Sequence, residues 1–568
     1  MLKRRQPLPE NNDAEPRIGV FICHCGSNIA GYLAMEALAD YAKTLPHVTF
    51  VQRNLYTCSE AGINEIKKGI EDNNLNRVVV ASCSPRTHEP LFRSSCEEAG
   101  LNPYLFEMVN IRDQCSWVHM KEKEDGTLKA KDLIAMGVAK AALLKAQNPI
   151  LSEVTPRALV IGGGIAGMTA AQGLARRGYE TVLVERQASL GGMLNQLNRL
   201  GPSMIDAADV VQQKIRAVMD HPKITVFTEA RVTEVKGFIG KFQVNIETKS
   251  GIKAIDIGVI IVAVGGAPFI PHGMYGYDGQ TVITQLELEQ RLKKGSDPEL
   301  KNIVMIQCAG GRSKERPYCS RICCQTAVKN AMLLKDHNPE TNVYILYRDM
   351  QMYGVENEEM FRDSKVKGIR YIHYDPSTPP VVESNTVKVY HPLLGKDMTL
   401  AADLVVLSTP LVAQEDVEET ARLLRVPVDE NGFFLEGHVK LKPLDFATDG
   451  VFLCGSARFP ANVRETIAQG LGAASRASIP LSKGSVKVEP IISVLADQDA
   501  CRGCGLCVAL CPYGALEIEN TPEGRKVHVI DVACKGCGVC AATCYQHALS
   551  INSFTDEQIE AQINAFLD

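Results

Sequence analysis

The chain reads as a series of α/β domains followed by a compact cysteine-rich α+β module, and three observations carry that fold class. Its 568 residues exceed one ordinary domain, and at about 150 residues per domain three or four cores are expected. From Arg17 to about Ser478, short apolar strand-like runs alternate with helical stretches, the pattern of parallel sheets with crossover helices. The 19 cysteines are gathered, lying at 23–115, at 308–324, at Cys454 and at 501–544.

Composition narrows the function classes. Hydrophobic residues at 45% and charged residues at 22% are ordinary for a globular chain, which excludes fibrous or wholly disordered architecture. A net charge of −5 gives no basic footprint for nucleic acid. Apolar runs such as 257–264 fall far short of the ~20 residues that span a bilayer. The opening MLKRRQPLPENNDAEP carries basic residues with no apolar stretch behind them, unlike a secretory leader. The expectation is a soluble cytoplasmic protein that meets a membrane only through a partner. In such a compartment thiols stay reduced, so metal or redox chemistry is the better default for the cysteines.

In order along the chain, residues 1–16 read as a flexible N-terminus. Residues 17–150 form a first α/β domain, with strands at 18–22, 48–52 and 77–82 and helices near 34–44 and 129–144. A second α/β unit spans 155–298 and returns at 440–480. A third occupies 299–439, with strands near 302–307 and 342–347 around a helix at about 320–336. A linker at 481–489 leads to the cysteine module at 490–552. The last stretch, 553–568, places Ile559, Ile563, Phe566 and Leu567 on one helical face.

The tail carries the most specific motif. Cys501, Cys504, Cys507 and Cys511, followed by Pro512, are spaced C-x2-C-x2-C-x3-C-P, and Cys534, Cys537, Cys540 and Cys544 repeat the spacing. Two such runs resemble a bacterial two-cluster ferredoxin, in which the fourth cysteine of each run reaches the other 4Fe-4S cluster. That resemblance groups Cys501, Cys504, Cys507 and Cys544 on one cluster, and Cys534, Cys537, Cys540 and Cys511 on the other. Tyr545 stands where a proline is usual. A tetrahedral zinc site fits this doubled three-plus-one spacing poorly.

The second unit opens with ALVIGGGIAGMTAAQGLARRGYETVLVE. Gly162, Gly164 and Gly167 follow a strand and precede a helix, and Glu185 closes the next strand. Glycines there let backbone approach a pyrophosphate at the helix N-terminus, and the carboxylate accepts from ribose hydroxyls. LGGM with Gly192, IIVAVGG with Gly265, and TDGVFLCGSA with Gly455 and Ser456 are similar to thioredoxin-reductase-like flavoproteins with two dinucleotide domains, which bind FAD. Ser456 replaces the aspartate usual in the closing motif. A nicotinamide-binding Rossmann domain without flavin is the alternative.

In that class the third unit carries a second glycine loop for NAD(P)H. Here the strand NIVMIQ runs instead into CAGGRSKERPYCSRICC. Cys308, Cys319, Cys323 and Cys324 take the loop's place, and four thiolates there suit a further iron–sulfur cluster. A buried structural cysteine group is the alternative.

These segments, together with FICHCGSNIAG, YTCSEAG, VVVASCSPRTHEPLFR and NIRDQCSWVH, resemble the HdrA component of heterodisulfide reductases, from about Arg17 to Asn552, and also its quinone-linked Qmo relatives. The resemblance implies FAD as a branching or bifurcating centre, a cluster on the 308–324 cysteines, another in the N-terminal domain, and a lysine near flavin N5, which Lys329 matches. With the tail, this makes four 4Fe-4S clusters. For the N-terminal cluster we take Cys25, Cys58, Cys83 and Cys115 as ligands, because loops at strand carboxyl ends converge in one crevice. Cys96 and Cys454 read as packing residues. Between Met193 and Lys241 there is no cysteine, so the ferredoxin insert of longer members is absent. No CCG repeat is present, so disulfide cleavage belongs to another subunit.

The implied function is that of an oxidoreductase passing electrons between ferredoxin and a thiol/disulfide or other acceptor. The implied partners are HdrB- and HdrC-like subunits, an electron-input subunit (hydrogenase, dehydrogenase or MvhD-like), ferredoxin and a second copy of the chain. The alternatives are a Qmo-like component serving quinone, and a redox scaffold whose clusters only order the fold.

Overall fold

A computed structural model describes residues 15–295 and 300–567. Most of the predicted N-terminal tail, residues 1–14, lies outside them. The chain divides into two compact units, Met1–Ile150 with Lys487–Asp568, and Leu151–Val486.

In the first unit a parallel sheet has the order 48–54, 18–23, 77–82, 106–110. Strands Ile18–Cys23 and Arg77–Ser82 are buried along their whole length, as central parallel strands covered on both faces must be. The cysteine module adds two antiparallel pairs, Ser493–Leu495 with Leu549–Ile551 and Leu516–Thr521 with Gly524–Val529. The chain's last helix, Asp556–Leu567, packs on Lys123–Ala142 within this unit. Gln558 Nε2 donates to the Leu143 carbonyl at 3.0 Å, and Lys140 Nζ stands 3.9 Å from the Phe554 ring centroid. Ile559, Ile563, Phe566 and Leu567 remain exposed.

The second unit holds two five-stranded parallel sheets. One has the order 224–227, 180–184, 157–161, 259–262, 451–453; the other has the order 282–284, 404–407, 302–306, 342–347, 370–373. Each unit core is a layer of fully buried Val, Ile and Leu from these strands against small-residue helices, as in Ile165–Ala175, where Ala170, Ala171 and Leu174 are sealed. Segment 481–489 departs from the linker expected for it. The helix Val463–Lys483 runs through Pro480 to a left-handed Gly484, and a strand, Ser485–Val488, follows at once.

In all three parallel sheets the strand order reverses beside one strand: 18–23, 157–161 and 302–306. The crevice outside the carboxyl ends at such a reversal is where open α/β sheets bind ligands. The first of these strands ends on Cys23, Gly162 directly follows the second, and Cys308 lies two residues past the end of the third.

Candidate flavin and iron–sulfur sites

At the 157–161 reversal a cavity of about 390 Å³ opens, within the range of cofactor sites. Gly162, Gly164, Glu185, Gly192, Gly265 and Ser456 line it. A Cβ built on Gly164 or Gly265 meets nothing within 4 Å, so both glycines present bare backbone to the cavity. Ile165 and Ala166 bring the N-terminus of their helix to the same wall, a setting for pyrophosphate. Glu185 accepts from Gly163 N at 2.6 Å and from Gln187 N at 2.8 Å. These bonds fix a carboxylate at the cavity edge, where ribose hydroxyls can donate.

Gly167 and Gly455, expected to bind the cofactor, do not border the cavity. A Cβ on Gly167 would stand 1.8 Å from the Gly162 carbonyl oxygen, and one on Gly455 2.8 Å from Ala166 Cβ. Both glycines act by letting chain pack against chain behind the site.

The helix Cys323–His337 joins this cavity to a cysteine pocket. Cys308, Cys319, Cys323 and Cys324 line the pocket with Arg312 and Ser408. From the same segment Ile322, Gln325, Thr326 and Lys329 line the flavin cavity. Cys324 is pushed up to about 11 and Cys323 is also raised, both first by burial. Buried thiols of this kind ionise when a metal supplies the compensating charge, so the donor set fits an iron–sulfur cluster. Lys329 is buried, donates to the Arg199 carbonyl at 2.8 Å and pairs with Glu289. Burial holds its pKa below the usual lysine value despite that partner. Glu289, which sequence reading missed, also accepts from Asn198 N at 2.9 Å.

In the first unit Cys23, Cys25, Cys58 and Cys83 lie within electrostatic reach of one another. Cys23 Sγ accepts from Thr57 N at 3.4 Å, beside Cys58, and Arg112 Nη1 lies 3.9 Å from Cys25 Sγ. The Cys58 and Cys83 thiols are raised mainly by burial, and each also feels Cys23 and Cys25. Cys115, expected among the ligands, stands apart from these four. It sits in a π-helical turn at 112–116, fully buried, and donates to the Gly126 carbonyl at 3.0 Å. The turn points it into the helix beneath the sheet, whereas Cys23 ends a central strand at the crevice. Cys83 likewise directly follows a buried strand, Arg77–Ser82. Cys96 and Cys454 are fully buried and pushed up to about 12 by burial, as packing residues are.

In the tail, Cys501, Cys504, Cys507 and Cys544 line one pocket, so the fourth cysteine of the second run meets the first three of the first. Cys534 Sγ accepts from Ser493 N at 3.3 Å, Cys540 Sγ lies 3.2 Å from Ser493 Oγ, and Cys511 Sγ accepts from Ala515 N at 3.3 Å. Tyr545 borders the first pocket, and Cys504 is the main cause of its raised pKa.

The pyridine nucleotide-disulphide oxidoreductase family profile matches residues 156–311, and the 4Fe-4S dicluster domain profile matches 500–548. Fold and site define an oxidoreductase, an electron-transfer flavoprotein subunit with FAD and iron–sulfur clusters. The chain is 39% identical over 603 residues to an A-type iron-sulfur subunit of the CoB–CoM heterodisulfide reductase of Methanopyrus kandleri, covering 89% of this chain and 92% of that one. It is 39% identical over 608 residues to the A-type subunit of the H2:CoB–CoM heterodisulfide, ferredoxin reductase of Methanothermobacter thermautotrophicus, covering 90% and 92%. With the corresponding CoB–CoM heterodisulfide reductase iron-sulfur subunit of Methanocaldococcus jannaschii it shares 36% over 651 residues, covering 97% and 99%. The chain belongs to the HdrA family of heterodisulfide reductase subunits. Among the described residues no helix is long and apolar enough to cross a membrane.

Proposed function

We propose that this chain is the branch point of an HdrABC-like complex, dividing or merging electron pairs between ferredoxin and a thiol/disulfide or other acceptor. Bound FAD supplies exchange between two-electron and one-electron chemistry. The loop at Gly162 and Gly164 and the helix behind it hold its pyrophosphate, Glu185 its ribose, and Gly192, Gly265 and Ser456 border it. Lys329 presents an ammonium toward the flavin ring. Four clusters serve as one-electron carriers: two on the tail cysteines, one on Cys308, Cys319, Cys323 and Cys324, and one on Cys23, Cys25, Cys58 and Cys83. The observation supporting this reading is the 323–337 helix, whose first turn carries Cys323 and Cys324 while Gln325, Thr326 and Lys329 wall the flavin cavity.

The partners in this reading are HdrB- and HdrC-like subunits, an input subunit, ferredoxin and a second copy of the chain, in the cytoplasm. The name of the Methanothermobacter relative pairs a heterodisulfide with ferredoxin. The test is anaerobic turnover of the purified complex with its two-electron donor. Ferredoxin should be reduced only while a disulfide acceptor is consumed. Reduction of quinone with no ferredoxin coupling would instead establish the quinone-linked function.

A further inference from the structure

We propose that Arg312 raises the reduction potential of the cluster on Cys308, Cys319, Cys323 and Cys324, and that Asp349 is the counter-charge limiting its effect. This rests on the reading of those cysteines as cluster ligands. Arg312 lines the same pocket as all four. Its guanidinium lies 2.7 Å from Asp349 Oδ2, and the Asp349 carbonyl is 3.7 Å from Cys324 Sγ. The guanidinium thus lies in the pocket lining, and the backbone of its partner Asp349 reaches the Cys324 thiol. A second guanidinium backs it, since Arg348 Nη1 donates to the Arg312 carbonyl at 3.0 Å.

The loop closes without the Arg312 side chain. Backbone bonds from Arg312 N to the Tyr318 carbonyl, 3.3 Å, and from Ser313 N to the Arg316 carbonyl, 3.0 Å, tie it. The guanidinium is thus not needed to tie the loop, and it acts by its charge. One-electron reduction adds an electron and no atoms, so the negative charge of the four-thiolate group grows by one. A guanidinium charged at every working pH stabilises that state more than the oxidised one. The Arg312 and Asp349 side chains are 28% and 59% exposed, so solvent screening keeps the effect modest.

The test is an anaerobic redox titration of the whole protein followed by EPR, with the cluster's signal identified by its loss in Cys308→Ser. Arg312→Gln should lower that midpoint by about 30–60 mV, a three- to tenfold change at 59 mV per tenfold. Asp349→Asn should raise it, and Arg312→Lys should restore most of the loss. A general loosening of the loop does not produce shifts of opposite sign. Unmoved midpoints in fully iron-loaded Arg312→Gln and Asp349→Asn would overturn the proposal. Full iron and every signal in Cys308→Ser would overturn the cluster reading itself, and the proposal with it.

Discussion

Lys329 and Glu289 form an ion pair sealed from solvent, with side chains 4% and 1% exposed, in the wall of the flavin cavity. One position further along its helix, Asn330 donates to Gln285 Oε1 at 2.9 Å, so helices Gln285–Lys294 and Cys323–His337 meet through two polar rungs. Buried pairs contribute little net stability, yet stripping one partner costs about 3–5 kcal/mol because a lone charge is left inside. The pair holds the Lys329 amine at a fixed place in the cavity wall.

Replacing Lys329 with methionine should keep iron content and FAD while lowering the flavin's two-electron potential by roughly 20–45 mV, if ~1–2 kcal/mol of interaction with the reduced flavin is lost. Lys329→Met with Glu289→Gln leaves no buried unpaired carboxylate, and should show the same direction of change with better folding. Burial sets the Lys329 pKa below the ordinary lysine value, so its charge is present at low pH and is lost as pH rises through the depressed pKa. The gap between wild type and Lys329→Met should therefore narrow before pH reaches the ordinary lysine range. Spectroelectrochemistry across pH checks both points, and equal potentials at neutral pH would remove Lys329 from flavin tuning.

Protein purified without oxygen should carry one FAD and four clusters, about 16 iron at four per cubane. Cys23→Ser should lose about four of these, whereas Cys115→Ser should keep all of them. Iron analysis with unfolding midpoints separates ligand loss from instability. A loss of about four iron in a stably folded Cys115→Ser would return Cys115 to the ligand set.

NADH or NADPH added to the isolated chain should bleach the flavin slowly or not at all, because the crevice after strand Asn302–Ile306 holds cysteines where a nicotinamide pyrophosphate loop is expected. Rapid reduction in a stopped-flow mixing experiment would show that a nicotinamide site survives.

Gly164→Ala and Gly167→Ala should fail differently. A Cβ on Gly164 has open space and φ −73°, so the protein should fold, at a helix-cap cost of about 1 kcal/mol, but lose FAD affinity. A Cβ on Gly167 strikes the Gly162 carbonyl, and overpacking of that kind costs about 1–3 kcal/mol or more. Flavin-free denaturation curves beside FAD titrations distinguish the two, and a Gly164→Ala protein with undiminished FAD affinity would contradict the cradle.

Residue order alone determined the features whose chemistry is local. The two tail runs declare their ligands because each holds three thiolates within seven residues, and the loop from Gly162 to Gly167 declares a dinucleotide because the steric demand falls on neighbouring positions. The alternation of strands and helices likewise implied parallel sheets. Tertiary structure alone decided which distant residues share a charge or a pocket. Glu289 and Lys329 stand 40 positions apart, with no period linking them, and Arg312 meets Asp349 from the segments that follow two neighbouring strands of one sheet. The surroundings of Cys115 were likewise hidden in the sequence, because a π-helical turn sets its thiol against the Gly126 carbonyl, whereas Cys23 ends a central strand. Side-chain direction at a site is set by the backbone that carries it, and that backbone is set by packing from elsewhere in the chain.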